Sequence, residues 1–473
     1  MTMLATVVER PLCVDLDGTL IASDMLWESL FDVAKKRPSD LMKLPTWFVD
    51  GRAMLKRRLA DRSDVDVTLL PYRADVLEFL RRERARGRRV VLATAADERI
   101  ANEIAEHLEV FDEVIASDGQ RNLKGRAKRE VLEARFGAGG FDYIGDSTSD
   151  CEVWSSAADA LVVGGRLVRR CRGIVREPAM VFETQSRIRP LIRAMRPHQW
   201  AKNVLLFVVP LVAHAFDVAT WMAAAVAFVC FSLTASSVYI LNDLLDLEAD
   251  RRHVRKRLRP FASGAASIPA GVAVSLASLA AAAALAATLP PAFGGLLLLY
   301  LVLTTLYSTV FKRRLMIDVV CLAGLYTLRI VAGGAAVSIV PSHWLLAFSM
   351  FFFLSLAFAK RYSELSRCRV AGRLPGRGYG LEDLDLIRSL GPTSSYVCVL
   401  VFAMYLNSPD VHSHYRRPEI LWLMSPVLLY WLSRLWFLAC RKQLDEDPVL
   451  FALHDRISRV CGVIMAILFA AAI

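Results

Sequence analysis

The sequence predicts two fold classes in one chain: an α/β domain with a doubly wound parallel sheet and a small helical cap, then an all-α membrane domain of about nine transmembrane helices. Three observations predict them. In the first part, short apolar runs ending in acidic residues alternate with helical patterns, which argues for a parallel sheet. From about residue 200 onward, long apolar runs are separated by basic loops. The shift in composition near residue 190 divides the chain into 1–190 and 191–473.

The chain has 473 residues, 55% of them hydrophobic, and a formal net charge of +11. With membrane spans present, that excess is better explained by Lys and Arg held in cytosolic loops and by anionic lipids or phosphate substrates than by nucleic acid. Nine cysteines contain no C-x-x-C pair, so neither a zinc site nor a disulfide framework is expected. The opening MTMLATVVER lacks the apolar core of a secretory signal, so the N-terminal domain is expected in the cytosol.

The first strand candidate, PLCVDLDGTL, stops at Asp15-Leu16-Asp17-Gly18-Thr19. Two acids two apart at the carboxyl end of a buried strand are placed for ligand chemistry in an open α/β sheet. Later candidates are Arg88–Ala95, which contains Thr94, then Glu113–Ser117, then Phe141–Ser147, which opens the acidic run GDSTSD. Between the first two, Ser23–Leu70 reads as mostly helical, enough for a cap over about 23–70 that limits access to the site.

These residues resemble the haloacid dehalogenase-like phosphohydrolases, and each of that family's four motifs has a counterpart here. The resemblance implies a Rossmann-like core in which Asp15 attacks phosphorus and Asp17 acts as general acid and base. It makes Thr94 the hydroxyl that hydrogen-bonds the transferring phosphoryl group. Lys128, in RAKREVL, would steady the anionic intermediate; Lys124, in NLKG, is the rival, and Lys128 is preferred. Asp146 and Asp150 would complete a Mg²⁺ site with Asp15 and the Asp17 carbonyl. Covalent catalysis suits a carboxylate once Mg²⁺ screens the charge of the phosphate. A sheet with solvated acids in its loops is the plainer reading; four motifs in order at strand ends weigh against it.

Arg166–Gln185 reads as a last strand and connector, and Arg187–Asn203 as a basic interfacial helix on the cytosolic leaflet. Spans follow at about Asn203–Ala215, Ala219–Leu241, Pro269–Leu289, Ala292–Val310, Asp318–Ser338, His343–Ala359, Ser394–Leu406, Ile420–Leu438 and Ser458–Ile473. Against the roughly 20 residues a span needs, the first and seventh are short. Loops after the even spans are basic and those after the odd spans are mostly uncharged. The positive-inside rule then places the protein in an inner or plasma membrane, with the N-terminal domain cytoplasmic and the C-terminus outside.

The stretch LNDLLDLEADRRHVRKRLRP ends the second span. Asn242, Asp246 and Asp250 are four apart, so on a helix they keep nearly one face, with Asp243 beside them. Oxygen ligands so spaced suit Mg²⁺ held with substrate phosphates, and the basic tail that follows suggests a diphosphate site. A charged helix end facing water is the plainer reading, but ionisable groups at a membrane boundary are usually functional. On the same side, Tyr307–Asp318 returns with Tyr307, Lys312 and Asp318. Arg329 lies about 16 Å further along that span, and Lys360 and Arg361 close the sixth.

Residues 191–473 resemble the UbiA superfamily of intramembrane prenyltransferases, for which NDxxDxxxD is a specific motif. RPHQWAKN (Arg196–Asn203), YSxxFKxxxxxDV (Tyr307–Val319), LRxxAG (Leu328–Gly333) and AKR (Ala359–Arg361) look most like decaprenyl-phosphate phosphoribosyltransferases within it. Aromatic-acceptor members usually carry a second aspartate-rich motif; here that position holds Lys312 and the single carboxylate Asp318. The resemblance implies that Asp243, Asp246 and Asp250 hold Mg²⁺ on the leaving diphosphate, with Asn242 as a further ligand or an orienting hydrogen bond and Asp318 as a further ligand. Asp246 is counted as catalytic. Lys202, Asn203, Tyr307, Lys312, Arg329, Lys360 and Arg361 would bind phosphates and sugar. The implied reaction moves phosphoribose from phosphoribosyl diphosphate to a polyprenyl phosphate, after which the fused phosphatase removes the 5-phosphate. The alternative is prenyl transfer from a prenyl diphosphate to an aromatic or other small acceptor. A non-catalytic lipid-binding scaffold is the third reading. Membrane lipids are expected partners, nucleic acid is not, and homo-oligomerisation is left open.

Overall fold

The computed structural model describes residues 10–164, 171, 178–183, 188–367, 377–409, 411, 415–444 and 447–473. They pack as two compact units. One comprises the chain to Met195 together with Tyr239–Val274; the other comprises Arg196–Val238 and Ser275–Ile473.

The first unit is built on a six-stranded sheet: β1 (Leu12–Val14), β2 (Val90–Asp97), β3 (Glu113–Ser117), β4 (Asp142–Gly145), β5 (Ala160–Val163) and β6 (Met180–Phe182). The order is β3-β2-β1-β4-β5-β6 and every pairing is parallel. Successive strand residues point to opposite faces. Leu12, Val14, Val90 and Leu92 therefore enter one apolar core, while Cys13, Val91, Ala93 and Tyr143 enter the other. Strands buried on both faces must be apolar throughout, which is why LCV reads as a plain run rather than an alternation. The direction of winding reverses between β1 and β4, and the crevice beyond their carboxyl ends is where such sheets bind ligands.

Helices α1 (Met25–Lys36), α2 (Leu44–Val49) and α3 (Arg52–Ala60) make the predicted cap, around a small core of Val33, Trp47, Leu55 and Leu59. Asp24 starts α1 by accepting from the amides of Leu26 and Trp27 at 3.0 and 3.4 Å, as an N-cap aspartate does. Helices α4 (Ala74–Ala85), α5 (Glu98–Leu108), α6 (Arg126–Phe136) and α7 (Cys151–Trp154) complete the α/β alternation. Of the last strand and connector expected at Arg166–Gln185, Met180–Phe182 is indeed a strand; 166–170, 172–177 and 184–185 lie outside the described residues. The sequence reading missed β5, and it also missed a disulfide: Cys151 and Cys171 are joined.

Seven helices among the described residues are long and apolar enough to cross a membrane: Val218–Leu245, Ile268–Ala286, Pro291–Arg313, Ile317–Ala336, His343–Ser366, Leu381–Leu406 and Pro418–Cys440. The expectation of about nine is corrected at its two ends. The first expected span is instead a 3₁₀ run, Pro197–Phe207, and a short helix, Val208–Val212. The last is a helix of 17 residues, Arg456–Ala472. The seventh, read as short, is full length, because it begins in the polar stretch that starts at Leu381. Nor is Arg187–Asn203 one helix: a helix covers Ile188–Met195, Arg196 turns into the left-handed region at φ +54°, and Pro197 opens the 3₁₀ run.

Candidate functional site

Three acids meet where β1 and β4 end. Asp15 follows β1, Asp146 follows β4, and Asp150 sits one turn later; oxygens of all three lie within 4.8 Å of one another. No other group of three acidic, Cys or His side chains this close occurs among the described residues. The turns leave no spare room. Gly18 has φ +77°, and an added Cβ would lie 2.3 Å from the Asp146 carboxylate; one at Gly145 would lie 2.7 Å from Asp150. Three hard oxygen donors on a buried strand-end crevice fit a divalent cation such as Mg²⁺.

Lys128, near the start of α6, donates to Asp15 Oδ1 at 2.8 Å and to the Tyr143 hydroxyl at 2.8 Å. Tyr143 in turn donates to Asp150 Oδ1 at 3.0 Å. The other Asp150 oxygen takes the amides of Asp146 and Ser147, at 3.2 and 2.9 Å, and the Ser147 hydroxyl at 2.7 Å. This chain fixes all three acids relative to one lysine. Burial raises the Asp15 carboxyl above its ordinary range, and the Lys128 ammonium pulls it only part of the way back. Burial also works against the charge of Lys128, but Asp15 and Asp150 outweigh it and raise its pKa. Asp17 is pushed well above the usual carboxylate range by burial, then by Asp24 and Asp15, while the Met25 amide donates to it at 2.8 Å. That direction suits a group that holds and then gives up a proton.

Asp15, Asp17, Lys128, Asp146 and Ser147 line a cavity of about 530 Å³ with Lys124, Lys56, Arg73 and Asn122. Lys124 and Lys128 both reach it, and Lys128 is the one bonded to Asp15. Thr94 does not border it. It is fully buried in β2 and its hydroxyl accepts from the Ala96 amide at 2.9 Å; its neighbour Ala95 lines the cavity instead. Sequence reasoning missed Tyr143 and Lys56. Lys56, on cap helix α3, donates to the Ala95 carbonyl at 2.5 Å and to Asn122 at 3.0 Å. A tyrosine inside a buried strand was the available signal for the first, since its hydroxyl must find a partner.

The acidic stretch after the second span lies in the same unit. Asp243 and Asp250 are buried and accept from the same Arg259 nitrogen, at 3.0 and 2.7 Å. Asp246 is half-exposed and takes Lys35 of α1 at 3.0 Å. The helix ends at Leu245 and a short one resumes at Leu247, although the spacing of four survives in the backbone bonds from Asp246 to Asn242 and from Asp250 to Asp246, 3.0 and 2.8 Å. Asn242 is half-buried.

In the second unit the expected residues fall into three clusters. Asp318, fully buried, accepts from Tyr307 at 2.8 Å, from Arg361 at 2.5 Å and from Arg377 at 3.1 Å. Two guanidiniums already neutralise this carboxylate. Arg329 donates to Asn203 at 2.9 Å and to Tyr300 at 3.0 Å, and Asn203 donates to Ser232 at 3.0 Å. Lys202 and Lys360 converge on one oxygen of Asp447, at 2.9 and 2.8 Å. Burial opposes the charge of Asp447, but the two lysines outweigh it and hold the carboxyl well below its usual range. Lys312 is half-buried in the turn Phe311–Arg313. Asp447 and Arg377 were not anticipated. In sequence, Asp447 signals only a helix N-cap before Pro448.

A strand-end carboxylate site on a parallel sheet, joined to a helical membrane domain with polar clusters, defines a membrane enzyme fused to a hydrolase domain. The haloacid dehalogenase-like hydrolase model matches residues 12–153, and the UbiA prenyltransferase family model matches residues 204–457. The chain belongs to the UbiA prenyltransferase family and carries a haloacid dehalogenase-like domain at its N-terminal end. An uncharacterized protein of Sinorhizobium fredii, y4nM, is 38% identical over 98% of this chain and 91% of its own. The nodulation protein NoeC of Azorhizobium caulinodans is 34% identical over 58% of this chain and 91% of its own. The decaprenyl-phosphate phosphoribosyltransferase of Mycolicibacterium smegmatis is 36% identical over 45% of this chain and 70% of its own. The protein is an integral membrane enzyme.

Proposed function

We propose that the membrane domain moves phosphoribose from phosphoribosyl diphosphate to a polyprenyl phosphate, releasing diphosphate, and that the fused hydrolase domain removes the 5-phosphate of the product. The observation that carries this reading is the pairing of the Asp318 cluster in the second unit. Asp318 is its one deeply buried acid, locked by Arg361 and Arg377, with Glu364 on Arg361. A carboxylate already paired with two guanidiniums is poorly placed to serve as the acid of a second metal site. That arrangement, with the similarity to decaprenyl-phosphate phosphoribosyltransferases, favours ribosyl transfer over prenyl transfer to a small acceptor.

In this reading residues 1–190 form the phosphatase, with its cap at 23–70, and 191–473 the transferase. Asp243, Asp246 and Asp250, with Asn242 beside them, would hold Mg²⁺, which would offset the negative charge of a leaving diphosphate. Arg259 bridges Asp243 and Asp250 as a cation in its own right. Lys202, Lys312 and Lys360 bind phosphate oxygens, Asn203, Tyr307 and Arg329 orient the substrates, and Arg361 holds Asp318 and Tyr307 in place. On the hydrolase side, Asp15 attacks phosphorus, Asp17 protonates the departing ribose oxygen and then activates water, and Lys128 balances the charge on Asp15. Mg²⁺ held by Asp15, Asp146, Asp150 and the Asp17 carbonyl supplies screening of the phosphate's negative charge. The N-terminal domain lies on the cytosolic side and the C-terminus outside.

The test is diphosphate release by the purified full chain in lipid vesicles. Release should require phosphoribosyl diphosphate, a polyprenyl phosphate and Mg²⁺ together, and Asp243→Asn should lower it at least a hundredfold. Release from a prenyl diphosphate with no ribosyl compound present would instead establish the prenyl-transfer reading.

A further inference from the structure

The hydrolase cavity has a wall that the hydrolase sequence does not supply. Besides the acids and lysines, it is lined by Gly264, Ala265, Ser267, Ile268 and Pro269. These belong to the loop that follows the acidic stretch, and Ile268 and Pro269 are the first two residues of the candidate membrane span Ile268–Ala286.

The wall is held on three sides. Gly264, at φ +73°, lies against the two chain segments that join cap to sheet: an added Cβ would lie 2.5 Å from that of Ala22 and 3.2 Å from that of Pro71. Those segments bond to each other, Ala22 to the Pro71 carbonyl at 2.8 Å. Arg251 clasps Glu28 of α1 with two nitrogens, at 2.6 and 3.1 Å, and donates to the Ala262 carbonyl at 3.1 Å. Both partners are buried, and Ser23 also donates to Glu28. Trp27 and Phe31 of the same helix pack on Ile240, Leu244, Leu247, Phe261 and Ile268. A buried bidentate pair of this kind does little for net stability but fixes geometry.

The lining is therefore mixed: it carries Asp15, Asp146 and Lys128, and also the apolar side chains of Trp27, Leu55, Phe48, Ile268 and Pro269. Phe48, on α2, is 66% exposed. A free sugar phosphate has no apolar part to set against those side chains.

We infer that the loop Gly264–Pro269 makes the phosphatase selective for an amphiphilic phosphomonoester, whose phosphate sits at Asp15 and whose apolar part lies along Ile268 and Trp27. This rests on the reading of Asp15 as the phosphatase nucleophile and specifies the substrate of that site. The step is an ordinary hydrolysis: the P–O bond to the substrate breaks, Asp15 carries the phosphoryl group, and water releases inorganic phosphate. Arg251 acts through the loop as a positioning residue.

The experiment measures phosphate release by the full chain in vesicles, with two matched pairs of probes. One pair is farnesyl-phosphoryl-ribose 5-phosphate and ribose 5-phosphate; the other, without sugar, is dodecyl phosphate and ethyl phosphate. In each pair the tailed probe should have a kcat/KM at least roughly tenfold higher, the scale of an apolar pocket's discrimination, through KM. Ile268→Asn should cut that ratio to about two while Ile268→Val keeps it. Arg251→Gln should raise KM for the tailed probes without a matching fall in kcat, and Arg251→Lys should restore part of the loss. Hydrolysis only of the sugar-free pair, with the tail preference intact, would defeat the ribosyl reading and leave this inference standing. Equal use of tailed and untailed probes by the native chain, proportional loss of both in Ile268→Asn, or hydrolysis of none would overturn it.

Discussion

Lys128 carries the burden of charge at the hydrolase site, since it is the ammonium bonded to Asp15 and, through Tyr143, linked to Asp150. Lys128→Met is expected to lower phosphate release about 10²–10³-fold, the cost of removing one preorganised group that stabilises developing charge. Lys124→Met should cost far less, because Lys124 lines the cavity without reaching Asp15 by any bond described above. Gly18→Ala tests the turn itself. The left-handed φ of +77° and the crowding by Asp146 predict loss of phosphatase activity together with a fall in stability of about 1–3 kcal/mol, read from the thermal midpoint of the detergent-solubilised chain. At this scale the sequence was informative about the acids and silent about their supports. Asp15, Asp17, Asp146 and Asp150 announce themselves through spacing within a few residues of a strand end. Tyr143, Lys56 and Asp447 act on groups 7 to 245 positions away, and nothing local marks such a partner. Thr94 shows the converse limit, because a residue can match a motif and still turn its hydroxyl toward its own strand's amide.

Helix packing in the second unit depends on close approach at small residues. Gly391, in the span Leu381–Leu406, sits so near Trp436 that an added Cβ would lie 1.9 Å from its ring. Trp436 also donates to Ser355 at 3.0 Å, and Ser355 and Ser395 bond at 2.6 Å. Gly391→Val should therefore force these helices apart and lower stability by about 1–3 kcal/mol, the usual cost of overpacking, again visible in the thermal midpoint. A midpoint within a degree of the native chain's would mean that the contact is not there. Elements in the middle of the chain were legible because long apolar runs leave few alternatives to a spanning helix. The ends were not. Pro197 opens a 3₁₀ run that reaches into the first expected span, Pro210 lies within that span, and the last helix has 17 residues. The strand β5 went unread because a run of only four apolar residues resembles the end of a buried helix as much as a strand.

For the whole molecule, the proposed reading implies that joining a transferase to a phosphatase would make the second encounter effectively intramolecular, raising the local concentration of product without any new contact. Removal of divalent ions with a chelator is expected to abolish both activities, and added Mg²⁺ to restore both. The composition of the chain pointed to this architecture, because a charge-rich start and an apolar remainder could not share one core. It did not reveal that Tyr239–Val274 packs with the N-terminal domain, since that association rests on side chains such as Glu28 and Arg251, 223 residues apart. The central claim is that one chain both ribosylates a lipid phosphate and trims the result. Mass analysis of lipids formed from labelled phosphoribosyl diphosphate and a polyprenyl phosphate tests it most directly, comparing the native chain with Asp15→Asn. The native chain should yield polyprenyl-phosphoryl-ribose, and Asp15→Asn the same lipid heavier by one phosphate. The same product from both, or no ribosyl lipid from either, would contradict the account.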